Sequence, residues 1–276
     1  MAQDHAFSAK FLRDPMTARF LFRSLRLACP VAVLLIAGCG TMPGQGPASA
    51  SPAPQTTNKL AEVHTKLGIG YLREGKLELA FNRLTRAIAA DPGYSTAHNA
   101  MGTLQERLGD MQSAERHFST AVSLDPTDSS AQSNFGSFLC RTGRYQEGEQ
   151  RFLQALKNSL YERPEVAYNN AGLCMKTAGD MDKAETYFRA ALERDPRIPS
   201  ALLAMSEISF LKQRYLPARA YLQRFQETSA LDAAALWLGV RIERELRDNE
   251  TAERYSVQLR QKFPDSEQAR LLDTPR

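Results

Sequence analysis

The chain has 276 residues, 43% of them hydrophobic and 24% charged, with one Trp and a formal net charge of +4. That balance describes a soluble folded body and excludes a polytopic membrane protein or a wholly disordered chain. Residues 1–38 hold five of the basic residues and two of the acidic ones, leaving 30 against 29 in the rest, so the body lacks the basic stripe that nucleic-acid binding needs.

Residues 19–39 read RFLFRSLRLACPVAVLLIAGC. Arg19, Arg23 and Arg26 make a basic n-region and Leu27–Ala37 an apolar h-region, too short for a membrane-spanning helix of about 20 residues. The run ends Ile36-Ala37-Gly38-Cys39, which resembles the lipobox of bacterial lipoproteins, where cleavage before the cysteine leaves it as the acylated N-terminus. An ordinary signal peptide or a short anchor with an incidental cysteine is the alternative. Residues 1–38 are therefore read as a lipoprotein-type signal peptide, with Met16 as a second candidate start that gives a signal of ordinary length. Cys39 is the expected lipidation site, carrying diacylglycerol and an acyl chain such as palmitate. Each buried methylene contributes about 0.8 kcal/mol, so several chains anchor firmly where one does not. Gly40, rather than Asp, follows the cysteine and favours export to the periplasmic face of the outer membrane.

Residues 39–58 comprise that cysteine and an uncharged stretch rich in Pro, Ala, Gly and Ser, GTMPGQGPASASPAPQTTN, which reads as a disordered tether. As flexible coil it would span roughly 25 Å, and about 60 Å as polyproline II.

From 59 to 276 the chain is built from one pattern. In His98–Pro126 an apolar-periodic run breaks at Gly109, a second follows, and Pro126 ends it; Gly102, Ala114, Phe118 and Ala121 mark small and bulky positions. The skeleton recurs 34 residues earlier as Gly68, Tyr71, Gly75, Ala80, Leu84, Ala87 and Pro92, and 34 later as Gly136, Leu139, Gly143, Gly148, Phe152 and Ala155. After 36 more residues it returns as Gly172, Met175, Gly179, Ala184, Phe188, Ala191 and Pro196. A period of 34 with these positions is the signature of the tetratricopeptide repeat. The expected fold is all-α, a right-handed superhelical solenoid of about six such repeats. Copies one to four occupy 61–94, 95–128, 129–162 and 165–198, with two extra residues within 158–164. Copy five, 199–232, is degenerate, with Ser206 for glycine and Gln213-Arg214 at its turn. A sixth shows in Leu238-Gly239, a turn at Asp248-Asn249-Glu250, Ala252 and Pro264, its second half shifted by one residue.

Little in this sequence suggests catalysis. There is no Gly-rich phosphate loop, no HExxH and no GxSxG, and the carboxylates Glu147/Glu149 and Asp180/Asp182/Glu185 read as a solvated outer face. No enzyme, metal or small-molecule substrate is expected. His64 and His98 share a repeat position, but two imidazoles without a third ligand make a poor zinc site. Cys140 and Cys174 lie on the first helices of copies three and four, two steps out of equivalent register. Free thiols packed among helices are the expectation, with a disulfide in an oxidising compartment as the alternative.

The first helices of a repeat solenoid line its concave face. Counting into each copy places there Thr65, Lys66, Leu72 and Arg73; Asn99, Glu106 and Arg107; Ser133, Asn134, Cys140 and Arg141; and Asn169, Asn170, Lys176 and Thr177. Side-chain amides with scattered cations suit an extended peptide, because an Asn both donates to and accepts from a backbone. The alternative is ordinary polar surface. Copies five and six turn apolar, with Leu203, Phe210, Leu211, Leu236, Trp237 and Val240, some of them core of the terminal cap. In copy one Ile69 and Leu72 offer a seat for an amphipathic helix.

Asn134-Phe135-Gly136-Ser137-Phe138-Leu139, Gly143-Arg144-Tyr145, Tyr161, Asn170-Ala171-Gly172-Leu173, Tyr215-Leu216-Pro217-Ala218-Arg219, Leu238-Gly239-Val240-Arg241 and the ending Leu259–Pro264 point to a narrower family. In that order after a lipobox, they resemble the type IV pilus biogenesis and stability lipoproteins, PilW or PilF, over nearly all of the chain from Cys39 onward. Cys140, Cys174 and the long leader depart from that pattern. The resemblance implies a pilotin: an outer-membrane lipoprotein that binds the pilus secretin, PilQ, and promotes its localisation and multimer assembly. The alternative from another class is a lipoprotein scaffold for cell-wall enzymes or outer-membrane protein insertion, using the same anchor and groove.

Overall fold

The computed structural model describes residues 59–273. The signal peptide 1–38, the lipidation site Cys39 and the tether to residue 58 lie outside them. Twelve helices form six antiparallel pairs: α1 (Lys59–Arg73) with α2 (Leu77–Ala90), α3 (Ser95–Arg107) with α4 (Met111–Leu124), and α5 (Ser129–Arg141) with α6 (Tyr145–Leu156). Then come α7 (Pro164–Thr177) with α8 (Met181–Arg194), α9 (Pro199–Leu211) with α10 (Tyr215–Thr228), and α11 (Ala233–Glu245) with α12 (Asn249–Lys262); the short α13 (Glu267–Leu271) packs on the last pair. Among the described residues no helix is long and apolar enough to cross a membrane.

Each pair closes on one joint. A small residue on the first helix faces a bulky one sixteen positions later, and a Cβ added at Gly102 would lie 2.8 Å from the Phe118 ring. The same pairing joins Gly68 to Leu84, Gly136 to Phe152 and Gly172 to Phe188. Copy five substitutes Ser206 against Leu222, and the buried serine satisfies its hydroxyl by donating to the Ala218 carbonyl at 2.8 Å. In copy six the joint is Gly239 with Tyr255. There the helix boundaries stay 34 residues from those of copy five while glycine and tyrosine have both moved one residue toward the N-terminus. The shift expected for the second half is therefore a shift of this pair.

The turns are equally uniform. The second residue after the first helix adopts positive φ, and the next N–H closes back five residues, as in Asp110 N to the Gln105 carbonyl at 2.9 Å. Gly75, Gly109, Gly143 and Gly179 occupy that position at φ +72° to +86°. Gln213 (φ 57°) and Arg247 (φ 61°) take it in the last two copies, so the sixth turn pivots on Arg247, one residue before the expected segment, and Asp248 caps α12. The second helices of copies one, two and four stop at Asp-Pro, since the residue before proline is driven out of the helical region. The aspartate then holds the loop, as Asp125 does by accepting from the Thr127 N–H at 3.0 Å. The large buried side chains Phe118, Phe138, Phe152 and Phe188 are spread along the solenoid, and the apolar core runs continuously from Phe152 to Leu272.

Candidate functional site: the concave face

Successive odd-numbered helices approach one another backbone to backbone, α1 to α3 and so on to α11, whereas the backbones of neighbouring second helices stay apart and are bridged by long side chains, as Glu149 of α6 is to Lys183 and Tyr187 of α8. The odd helices therefore lie on the inside of the curve, and their repeated positions make a ladder across it. Asn134 donates from Nδ2 to Asn99 Oδ1 at 3.0 Å, Arg107 donates to the Leu72 carbonyl at 2.6 Å, and Arg141 grips both oxygens of Glu106 at 2.6 and 2.7 Å. Asn170 donates to Ser137 Oγ at 3.4 Å, the Ser200 hydroxyl donates to Asn169 Oδ1 at 2.9 Å, and Lys176 pairs with Glu207.

These contacts decide how each expected groove residue can act. Asn134, Asn169, Asn170, Arg141 and Lys176 lie at this surface, already partnered to a neighbouring repeat, so a ligand would share or displace those bonds. Asn99 is buried and holds Asn134 in place. Leu72 is a core residue, 5% exposed, packed with Leu84, Met101 and Leu104, and Ile69 is half-buried against the same cluster; the apolar seat expected from Leu72 in copy one is therefore filled by the protein's own core. Lys66 is exposed and pairs with Glu62 on its own helix at 2.5 Å. Toward the C-terminus Leu236 and Val240 are buried in the cap, while Leu203, Phe210 and Trp237 are half-buried and Leu211 is 62% exposed.

The curve brings Arg73 of copy one to the same cavity as Ser133 and Asn134 of copy three. This cavity, of about 600 Å³, is closed on the other side by the irregular segment 158–163 between α6 and α7. Asn158 shapes the segment, accepting from the Leu160 N–H at 3.0 Å and offering its carbonyl to the Tyr161 N–H at 3.1 Å. Leu160 projects, 85% exposed. Burial pushes the Tyr161 phenol upward, and burial likewise raises the Asp128 carboxyl although it caps α5 by accepting from the Ser130 and Ala131 N–H groups. The segment that holds the two extra residues, expected only as an irregularity, thus forms a wall of this cavity.

Three arrangements differ from expectation. Cys140 and Cys174 form a disulfide between α5 and α7, with Cα atoms 5.5 Å apart. Neighbouring first helices meet at sequence separations near 34, as in Asn170 with Ser137, so the offset caused by the insertion is what brings the two cysteines level. Glu185 is 8% exposed rather than solvated, and gathers Arg214 at 2.7 Å, Lys212 at 2.8 Å and Arg189 at 2.6 Å. The Arg214 hydrogen bond above all holds its carboxyl far below the usual carboxylate range. Glu149 likewise accepts from Lys183 at 2.8 Å and the Tyr187 hydroxyl at 2.7 Å, tying copy three to copy four.

The third arrangement joins His98 to His117, not to His64, with Nδ1 atoms 3.1 Å apart. His98 Nε2 lies 3.1 Å from the Pro92 carbonyl, which can only accept. The neutral pair therefore has its proton on Nε2 of His98 and on Nδ1 of His117, and burial lowers both pKa values. Among the described residues no group of three or more His, Cys, Asp or Glu side chains is placed to hold a metal.

The tetratricopeptide-repeat family matches this chain in three overlapping windows, residues 71–133, 127–197 and 176–235. The type IV pilus assembly protein PilF of Pseudomonas aeruginosa is 29% identical over 231 residues, 84% of this chain and 90% of that protein. The solved structure of P. aeruginosa PilF superposes with a TM-score of 0.73 at 28% identity, covering 78% of this chain and 96% of that one. The crystal structure of PilW, described as a widely conserved type IV pilus biogenesis factor, gives 0.71 at 28% identity over 79% of this chain and all of that one. With six joints of one design, six turns of one geometry and these alignments running nearly end to end through its relatives, the chain belongs to the tetratricopeptide-repeat proteins and is a homologue of PilF and PilW.

Proposed function

We propose that this protein is an outer-membrane lipoprotein pilotin, anchored through Cys39, that binds the type IV pilus secretin along its concave face and promotes secretin localisation and multimer assembly. The observation that carries this reading is the alignment with the pilus assembly protein PilF over 90% of PilF's length. The groove supports it: a polar ladder and an open cavity suit an extended polypeptide. A lipid anchor and a 19-residue tether would confine a captured subunit to the membrane surface and raise its effective concentration there.

The test is a pull-down from detergent-solubilised envelope with the full chain as bait, beside a variant carrying Asn134→Ala and Asn170→Ala. Recovery of the secretin, reduced in the variant, is expected. Recovery undiminished would keep the role and move the site off the asparagine ladder. Peptidoglycan enzymes or insertion machinery in place of secretin would replace the pilotin with the scaffold. For the anchor, Cys39→Ser should abolish metabolic labelling by radioactive palmitate, and persistent labelling would refute Cys39 as the site.

A further inference from the structure

Three cations of the concave face are neutralised from within, Arg141 by Glu106, Lys176 by Glu207 and Lys66 by Glu62, while Arg107 is spent on the Leu72 carbonyl. The last repeat is built differently. Arg241 and Arg244 lie on one side of α11, close to one helical turn apart, and pair with no carboxylate among the described residues. Each lies over an aromatic ring instead, Arg241 4.2 Å from the Phe210 centroid on the facing α9 and Arg244 5.9 Å from that of Trp237. Glu207, the carboxylate of α9 on this side, is taken by Lys176. Attraction to the ring face holds each guanidinium in place and leaves the N–H donors, which no carboxylate among the described residues takes, for a ligand. Phe210, Trp237 and Leu203, all half-buried, supply an apolar floor beside the two forks. Oriented positive charge without an internal anion, next to apolar surface, is complementary to an acidic side chain flanked by an apolar one.

We propose that Arg241, Arg244 and Trp237 form the site at which the concave face receives a side-chain carboxylate of a partner polypeptide, with an adjacent apolar side chain seated against Trp237 and Phe210. This rests on the reading that the groove binds a protein segment, and it fixes the polarity of that segment: its acidic part lies at the C-terminal repeats.

The probes are fluorescein-labelled synthetic peptides, Gly-Ser-Glu-Leu-Glu-Leu-Gly-Ser and its counterparts with Gln or Lys in place of Glu, titrated against the full chain and followed by anisotropy at low salt. The Glu peptide should bind, and the Gln peptide should bind about tenfold more weakly, the scale expected of two partly screened ion pairs. R241Q/R244Q should lose about the same factor for the Glu peptide, and R241E/R244E should come to prefer the Lys peptide, a gain that a misfolded variant could not show. Equal binding of the Glu and Gln peptides, or Glu-peptide affinity unchanged in R241Q/R244Q, overturns the proposal. The envelope pull-down separates the two readings: secretin capture without peptide discrimination defeats this site alone, whereas peptide discrimination without secretin capture leaves the site and defeats the pilotin.

Discussion

Glu185 shows how much a single buried carboxylate can do between repeats. It sits on α8 and draws in Lys212 and Arg214 from the turn of the following pair. Glu185→Gln keeps the shape and removes the charge, so it should lower stability by about 2 kcal/mol, measurable by urea titration. Its folded pKa is depressed, so the contribution is present above the unfolded value near 4.3 and lost as pH falls toward the folded one. His98 and His117 act in the same direction at milder pH. Burial lowers both, so between the unfolded value near 6.5 and the folded values the unfolded chain binds more protons, and stability falls as pH falls through that window. The thermal midpoint should drop from about pH 7 to about pH 5, and His98→Asn with His117→Gln should flatten that slope. Neither feature was legible in the sequence. Glu185 reads as one more carboxylate on an amphipathic helix, and His98 and His117, nineteen apart, meet only because a hairpin folds between them.

The helical element carries its own predictions. Gln213 and Arg247 hold a left-handed conformation that four other turns give to glycine. A non-glycine residue there costs about 1–2 kcal/mol, partly offset by glycine's greater freedom in the unfolded chain. Gln213→Gly should therefore stabilise the protein by about 0.5–1 kcal/mol, seen as a raised thermal midpoint; a lowered one would mean that the glutamine side chain makes a compensating contact. The disulfide joins residues 34 apart, a loop for which the chain-entropy estimate is about 4 kcal/mol. Reduction, or Cys140→Ser with Cys174→Ser, should lower stability on that order and speed proteolysis within 158–164, the irregular segment inside the loop that the cross-link closes. At this scale the sequence was highly legible. Six helix pairs, their joints and most of their turns follow from the 34-residue period, because each glycine and proline there has one structural meaning. The cysteine pair escaped because repeat counting made the insertion look like a misalignment.

The described repeats form a one-dimensional stack, and its two ends are unequal. The C-terminal end is closed by α13, with Ala269 and Leu272 buried. Among the described residues no repeat precedes the N-terminal one, whose Val63 and Leu67 stand 47% and 41% exposed. Stacked repeats gain stability from their interfaces, so a repeat with one interface frays first. Hydrogen exchange should accordingly be fastest in α1 and α2 and slowest from α7 to α11, within the continuous core; uniform protection along the chain would contradict this order. Position counting recovered the concave face as a surface, including the neighbourhood of Asn134, Asn170 and Arg141. It missed which of those side chains are spent on one another, since that depends on the distance between helices and not on their order.

The displaced pair of the last repeat has a further consequence. Gly239 and Tyr255 act as socket and peg, and the sixth hairpin keeps its length and boundaries although both have slid by one residue. The fit is thus a portable part, bound to its counterpart and not to a fixed address on the helix. An artificial hairpin with socket and peg transposed together should assemble, whereas moving the peg alone should leave a void on one side and a collision on the other. A search frame that expects each small residue at one address will pass over such a hairpin, and the family windows on this chain do end at residue 235, at the start of the slipped repeat.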